Sequence, residues 1–595
     1  MSVTMKETVL TLAQELRVAL GEETADLHIT NLQILDVFTD TVYPGEMVIK
    51  NGRIVAINPS WKVKAEHVFD AGGRYAVPGF MDAHIHIEPT LLTPQALASV
   101  IVPWGTTVLF VDAMEIANVA GIKGLEALLS DISELPYRIY LEVPSRVPTA
   151  PGLETTGGVL GVAEVEELLK SSISASLGEL DPSKILGVRE EYLAKVLSAR
   201  AQGKVANGHA IGLTWDKLNV YATAGLSDDH ESVVYEELFE RLRLGIKALI
   251  REGSTERNVE ALIKGVIEHN LPTENLIFCT DDKHVTDIAT EGHISYNVQK
   301  SIDLGLDPIK AIKMATINTA KHFRLDHLVG ALTPGRYADF LLLDDLKTIK
   351  PVYVFKDGQI VAQEGKLIQE VGIIQFPEFL NETVKLAPGF KPADFAVAAG
   401  GDSAKVNVIN LYPDQIINYG TQEWLKIEAG QVQPDPAQDI LKLAVVERYG
   451  QNGQVGVGFV RGFKLKSGAL ASSVSHDHHN IVLVGTNDQD MYLAAQEIAK
   501  YQGGFAAVQD GQVLGVLPLP IGGLMSPLPA NEVMEQLLQI NEVARSLGCD
   551  LPAPFMTLSF ISLPTVPELG LTDHGLIDVL EHRVIKTVLE TRFER

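Results

Sequence analysis

Eight short runs rich in β-branched and apolar residues, each ending in polar residues, constrain this chain more than any other feature. They read YAVPGFMDAHIHI, TTVLFVDA, YRIYLEVPS, SISASLGE, KVANGHA, AGLSDDHE, KALIREGS and LIFCTDD, and helix-length segments separate them. Runs of this kind alternating with helical stretches are what βα units and a parallel sheet require. Eight is the number that closes such a sheet into a (β/α)8 TIM-type barrel. Helix candidates fit between several runs, among them Arg189 to Arg200, and Glu256 to Glu268 behind the capping-type Ser254 and Thr255. An α/β fold with a barrel over residues 78–328 is therefore expected.

The flanks have a different rhythm. After a helix-like stretch from Lys6 to Leu20, the text ADLHITNLQILDVFTDTVYPGEMVIKNGRIVAI alternates apolar and polar residues around the turn signal Asn51-Gly52. The same grammar returns in VGALTPGRYADFLLLDDLKTIKPVYVFKDGQIVAQEGK, with its turn at Asp357-Gly358. Residues 1–77 and 329–375 can thus complete one small β unit, a β-sandwich fed from both sides of the barrel. From residue 376 to 595 the alternating runs QVGVGFVRGF and IVLVGTNDQD and a helix candidate from Tyr492 to Tyr501 predict a separate α+β domain. A chain of 595 residues is long enough to need such a division.

Charge and cysteine content narrow the chemistry. With 49 basic against 76 acidic side chains the formal charge is −27, which repels nucleic-acid backbones and anionic lipid surfaces. No apolar run approaches the roughly 20 residues that a membrane helix needs, and the start of the chain, with Lys6 and Glu7 and no small-residue cleavage site, lacks a secretory pattern. A soluble cytoplasmic protein is expected. Cys279 and Cys549 are the only cysteines, so neither a disulfide framework nor a thiolate zinc cluster can be built. Any metal must be held by imidazoles and carboxylates.

The sharpest local signal is Asp82-Ala83-His84-Ile85-His86 at the end of the first run. Side chains two apart on a strand share a face, so His84 and His86 can grip one ion. A lone His-x-His pair is commonly a matter of packing. Here Glu179 closes the fourth run, His209 the fifth, His230 the sixth and Asp281 the eighth, at the end where barrel enzymes keep their chemistry. A two-oxygen carboxylate can bridge two divalent ions, giving His84, His86, Glu179 and Asp281 to one and Glu179, His209 and His230 to the other. Lys184, as a modified lysine, is the rival bridge, although its place inside DPSK after the strand suits it less. Two such ions lower the pKa of a shared water and make hydrolysis the natural reaction class. Asp281 is placed to move the proton, with Asp282 as the alternative.

These residues stand in motifs that resemble those of adenine deaminase in the amidohydrolase superfamily. PGFMDAHIHIE, EIANVAG, VPTAPGLETTGG, GHAIGL, SDDHES, REGST, TDDKHVTDIATEGHI and LTPGRYADF carry the resemblance through the barrel. GFVRGFKLKSGALASSVSHDHHNIVLVGTNDQDM, LPIGGLMS and PFMTLSFISLPTVPELGLTDHG extend it into the C-terminal domain that sets this family apart. The resemblance implies attack of a metal-bound hydroxide on C6 of adenine to give hypoxanthine and ammonia in purine salvage. It further implies two Mn2+ or Fe2+ ions and a homodimer or larger assembly. It assigns Asp112 to a carboxylate that assists the nucleophile, and places Glu154 and the turn from Ser145 to Pro148 where the family shapes its purine pocket.

Two positions depart from the family's pattern. Met114 stands where the family usually has His in Asp-Pro-His-Glu-Ile, and Arg146 stands where it commonly has Cys in Ser-Cys-Val-Pro. The first brings a soft thioether and the second a fixed charge. The run Ser475-His476-Asp477-His478-His479-Asn480 belongs to the C-terminal domain and is expected to contact the barrel mouth rather than to bind metal. Other readings remain. A related two-metal hydrolase of cyclic amides, amidines or N-acyl substrates would use the same centre. A zinc cytidine-type deaminase would use His86-Ile87-Glu88 but needs nearby paired cysteines that are missing. A degenerate purine binder would have scattered losses among the ligands, whereas each position keeps a competent side chain.

Overall fold

A computed structural model describes residues 3–372, 374–412, 418–565 and 568–593. Each of the eight runs contains a strand. Phe80–Ile85, Thr106–Asp112, Arg138–Val143, Ser174–Leu180 and Val205–Gly208 lie side by side in chain order as a five-stranded parallel sheet. Asp228–Asp229, Lys247–Arg251 and Leu276–Cys279 form a three-stranded parallel sheet. Single backbone hydrogen bonds link the two at both edges, from Ser227 N to Ala206 O at 2.8 Å and from Asp281 N to His84 O at 2.9 Å.

The runs are apolar because both faces of these strands are covered, as parallel sheets require. Every residue of Thr106–Asp112 is buried. Val108 and Phe110 pack in one core with Leu249, Ile277 and Cys279, while Leu109, Val111, Ile250 and Phe278 pack in another with helical residues such as Leu125 and Val266. Period-2 alternation therefore places Asp112, Arg251 and Asp281 on the continuation of the first of these faces, beyond the apolar positions of their runs.

The helix predicted from Arg189 spans Glu190–Ala201. That predicted from Glu256 begins only at Val259, because residues 253–258 fold back on the preceding strand. Asn258 N bonds Arg251 O and Gly253 N bonds Glu256 O, and the Glu252 carboxylate, rather than Ser254 or Thr255, receives Val259 N at 3.1 Å.

Strand Phe340–Leu343 pairs antiparallel with Tyr75–Pro78, and this pairing joins the segments before and after the parallel sheets into one nine-stranded sheet. Its core is built by Ile29, Ile34, Met47, Phe340, Leu342 and Phe355. The C-terminal region carries a ten-stranded mixed sheet and a small three-stranded one. Helix Asp488–Lys500 starts earlier than the sequence pattern indicates, since Asn487 caps it by accepting Asp490 N. Among the described residues no helix is long and apolar enough to cross a membrane.

Candidate metal centre

His84, His86, Glu179, His209, His230 and Asp281 are all buried and converge where the strands end. His84 Nε2 lies 3.8 Å from Glu179 Oε2 and 3.6 Å from Asp281 Oδ1. His86 Nε2 is 3.7 Å from Glu179 Oε1 and 3.6 Å from Asp281 Oδ1, and His230 Nε2 is 3.4 Å from Glu179 Oε2. Among the described residues, sets of donor atoms within 4.8 Å of one another are His84, His86 and Glu179; His84, His230 and Asp281; His86, Asp281 and Asp282; and, where the C-terminal His-rich run meets the strand ends, Glu115, His476 and His479. His209 belongs to none of these sets.

Three imidazoles have their outer nitrogen engaged by an acceptor. His84 Nδ1 meets Glu142 Oε2 at 2.6 Å, His86 Nδ1 meets the backbone carbonyl of Asp112 at 2.9 Å, and His209 Nδ1 meets Glu231 Oε2 at 3.1 Å. Donating the Nδ1 proton outward turns each Nε2 lone pair inward, the arrangement that metal-ligating histidines adopt. Nε2 of His84 and of His209 are buried with no hydrogen-bond partner. Buried polar atoms are rarely left so, and this donor set fits divalent cations.

Charge reinforces the fit. Burial opposes a charge on His86 and on His209, yet Asp282 and Glu179 around the first and Glu231 around the second carry both rings to about 9. Burial likewise opposes ionisation of Glu179, but Arg146 and His209 hold its carboxyl well below the usual range. Asp281 is lowered in the same way, chiefly by Arg251, whose Nη1 donates to Oδ2 at 2.5 Å and leaves Oδ1 facing the histidines. Burial and the neighbouring Asp281 push Asp282 far up. The centre thus concentrates negative potential that cations would balance.

The remaining candidates lie around this cluster. Asp112 Oδ2 accepts Glu179 N at 3.0 Å, and burial, partly offset by His86, pushes its carboxyl up to about 6. Ser145 Oγ donates to the Glu179 carbonyl at 2.6 Å. Glu154 Oε1 accepts Ala150 N at 2.8 Å within its own loop, while Oε2 is unpartnered. Lys184 is buried beside Asp181 and Glu154, its Nζ 3.5 Å from Ser183 Oγ.

A cavity opens onto the cluster, walled by His86, Glu179, His209, His230 and Asp281 on one side and by His476, Asp477, Phe560 and Leu563 on the other. Ser145, Glu154 and Asp112 are not among its lining residues. The His476 ring stacks on Phe560 at 4.5 Å and lies 3.3 Å from Glu115 Oε1. The C-terminal His-rich run therefore meets the strand ends, as its sequence led us to expect. Sequence reasoning missed Glu142, Glu231 and Arg251. Glu142 and Arg251 end strands on the same principle as Glu179, and Glu231 follows His230 directly, so the signal was present without a way to tell support from ligation.

Parallel βα strands whose ends gather imidazoles and carboxylates about a cavity define a hydrolase of the amidohydrolase family, and residues 75–361 match that family. Residues 415–583 match the adenine deaminase C-terminal domain. The chain is 75% identical over 583 residues to an adenine deaminase of Desulforamulus reducens, covering 98% of this chain and 99% of that one. It is 39% identical to an adenine deaminase of Moorella thermoacetica and 40% to one of Halalkalibacterium halodurans, over 96% of this chain and 97% of each of them. It belongs to the adenine deaminase family.

Proposed function

We propose that this protein hydrolyses adenine to hypoxanthine and ammonia. The observation that carries the reading is the near full-length identity to adenine deaminases, which takes in both the strand-end cluster and the C-terminal segment that walls its cavity. His84, His86, Glu179 and Asp281 would hold one divalent ion and Glu179, His209 and His230 a second, with Mn2+ or Fe2+ suited to such nitrogen and oxygen donors. Bound there, the ions supply Lewis-acid activation of water near neutral pH.

The protein's own groups do the rest. Glu142, the Asp112 carbonyl and Glu231 orient the rings through their Nδ1 atoms. Arg251 holds Asp281 Oδ2, so that Oδ1 takes the proton of the attacking water and delivers it to the departing amine. Asp112 and Ser145 brace Glu179 through its peptide N–H and carbonyl, and Asp112 assists the nucleophile from that position. Glu154, with Ser145, shapes the purine pocket through the loop that it ties. Phe560 and Leu563 give the cavity an apolar wall.

The two parallel sheets are read as one closed (β/α)8 barrel over residues 78–328, supported by the hydrogen bonds at both edges. Residues 1–77 and 329–375 would form the β-sandwich domain and 376–595 the C-terminal domain. A cytoplasmic homodimer or larger assembly acting in purine salvage completes the proposal. Incubating Mn2+-loaded protein with adenine should release hypoxanthine and ammonia in equal amounts, and adenine left unchanged by fully loaded protein would reject it.

A further inference from the structure

Adenine carries ring nitrogens N1, N3 and N7 that accept hydrogen bonds, and the groups lining the cavity are mostly acceptors or already engaged. Arg146 is committed to Glu179 and Asp477, and Arg251 to Asp281. His86, His209 and His230 are candidate ligands. His476, on the opposite wall, is an imidazole free of both duties.

A chain of buried contacts fixes its tautomer. Ser475 N donates to His479 Nδ1 at 3.3 Å, so the proton of the neutral His479 ring sits on Nε2. That nitrogen lies 4.0 Å from Glu115 Oε2. Holding a proton, it offers no lone pair to a cation, so the donor set of Glu115, His476 and His479 is not a further metal site. Glu115 is 1% exposed, and neither of its oxygens has a formed hydrogen bond. Burial, with Glu88, Asp282 and Asp477 nearby, pushes its carboxyl well above the usual range, and it keeps its proton. Since Oε2 faces the His479 N–H, that proton belongs on Oε1, which lies 3.3 Å from His476 Nδ1. Burial pushes the His476 ring down to about 4 against the pull of Asp477, so the ring is neutral. With Nδ1 facing an acid proton, the ring's own proton is on Nε2. One face of the ring stacks on Phe560, and the edge left for the cavity carries Nε2.

We infer that His476 is the residue by which the C-terminal region reads the purine: its Nε2–H donates to a ring nitrogen of adenine, and Glu115 is the positioning residue that fixes this tautomer. This rests on the adenine reading given above.

Inhibition of adenine turnover by 1-deaza-, 3-deaza- and 7-deazaadenine, each with one ring nitrogen replaced by CH, tests it in full-length, Mn2+-loaded protein. In the wild type at least one of them should inhibit at least about 10-fold more weakly than the best of them, because it leaves a buried donor unpaired. His476→Phe keeps a ring on Phe560 without the donor. One such gap should close in it, and KM for adenine should rise with Mn2+ content unchanged. Glu115→Gln, whose amide donates to Nδ1 and accepts from His479 as the protonated acid does, should keep that gap, whereas Glu115→Leu should narrow it. Equal inhibition constants in the wild type, or gaps that all survive in His476→Phe, overturn the inference. Should His476→Phe fail to fold, as judged by circular dichroism, Glu115→Leu decides, and gaps that all survive there overturn it. Loaded wild type that leaves adenine unchanged rejects the proposed function itself, whereas deamination without any gap rejects the role of His476 alone.

Discussion

Asp281 is held with φ at 58°, a left-handed conformation that costs a non-glycine residue about 1–3 kcal/mol. Its peptide N–H bonds the His84 carbonyl and its Oδ2 is fixed by Arg251, so two unrelated contacts keep the strained geometry and aim Oδ1 at the histidines. Asp281→Asn preserves the shape but cannot carry a proton, and kcat for adenine should fall by about 10²- to 10⁴-fold. A variant retaining more than a tenth of the rate would remove Asp281 from the proton path. Glu154 shows the same economy of charge away from the cluster. Burial, helped by Asp477, pushes its carboxyl from the ordinary 4.5 up to about 7. The folded state therefore keeps a proton that the unfolded chain sheds, and the stability this group contributes is complete below pH 4.5 and is lost as pH rises to about 7, a swing of about 3 kcal/mol. Glu154→Gln should melt with the wild type near pH 4.5 and at a higher temperature at pH 8. Equal melting temperatures at pH 8 would contradict the buried, proton-holding carboxyl.

At the scale of the element, the strands place chemistry at their ends by period-2 alternation, and close packing fixes each end against the next. Gly178 precedes Glu179 in strand Ser174–Leu180, and a Cβ there would stand 2.3 Å from Asp112 Oδ2 and 3.0 Å from the Val143 carbonyl. Gly178→Ala must displace Asp112 from the Glu179 N–H, and we expect activity to fall at least about 10-fold through this misplacement, with metal affinity reduced as well. Full activity and metal retention would show that Asp112 does not brace Glu179. This packing also explains what the sequence could and could not convey. The eight runs, His84, His86, Glu179, His209, His230 and Asp281 were legible because alternation and strand ends are local properties. The outward hydrogen bonds of His84 and His209 depend on Glu142, 58 residues away, and on Glu231, 22 residues away. Only the register between neighbouring strands brings them together, and no local pattern encodes register. Arg146 stood out as a fixed charge, but its grip on Glu179 depends on a loop 33 residues removed from that strand end. The start of helix Val259–Glu268 was misjudged for a related reason, since residues 253–258 bond back to Arg251 and Glu252 across a fold invisible to a capping pattern.

Across the whole molecule, the centre is completed by residues 475–480, which lie 194 residues or more beyond every candidate ligand. Asp573 accepts Thr155 N at 3.0 Å and Thr155 Oγ1 at 2.6 Å, and the Thr155 carbonyl accepts Asn480 Nδ2 at 2.9 Å. Asn480 ends the run whose His476 and Asp477 wall the cavity, so Thr155 links the barrel-side loop to that run through one short chain of buried hydrogen bonds. Asp573 touches neither the cavity nor a candidate ligand, and it acts on the site through Thr155 and through Asn480 Nδ2, from which its Oδ1 also accepts at 3.4 Å. Asp573→Ala removes both bonds to Thr155 and leaves its N–H and hydroxyl without those partners, which should cost about 2–4 kcal/mol at the contact. The expected readout is split. The variant should retain the wild-type Mn2+ content, because every proposed metal ligand keeps its position, while KM for adenine rises as the wall formed by His476 and Asp477 loosens. Amide hydrogen exchange should quicken in residues 475–480 before it does in strand Ser174–Leu180. Should KM and exchange in residues 475–480 stay at wild-type values, the C-terminal region would be a passive cover; should metal be lost instead, the link would reach Glu179 through Arg146 and Asp477 rather than the cavity wall.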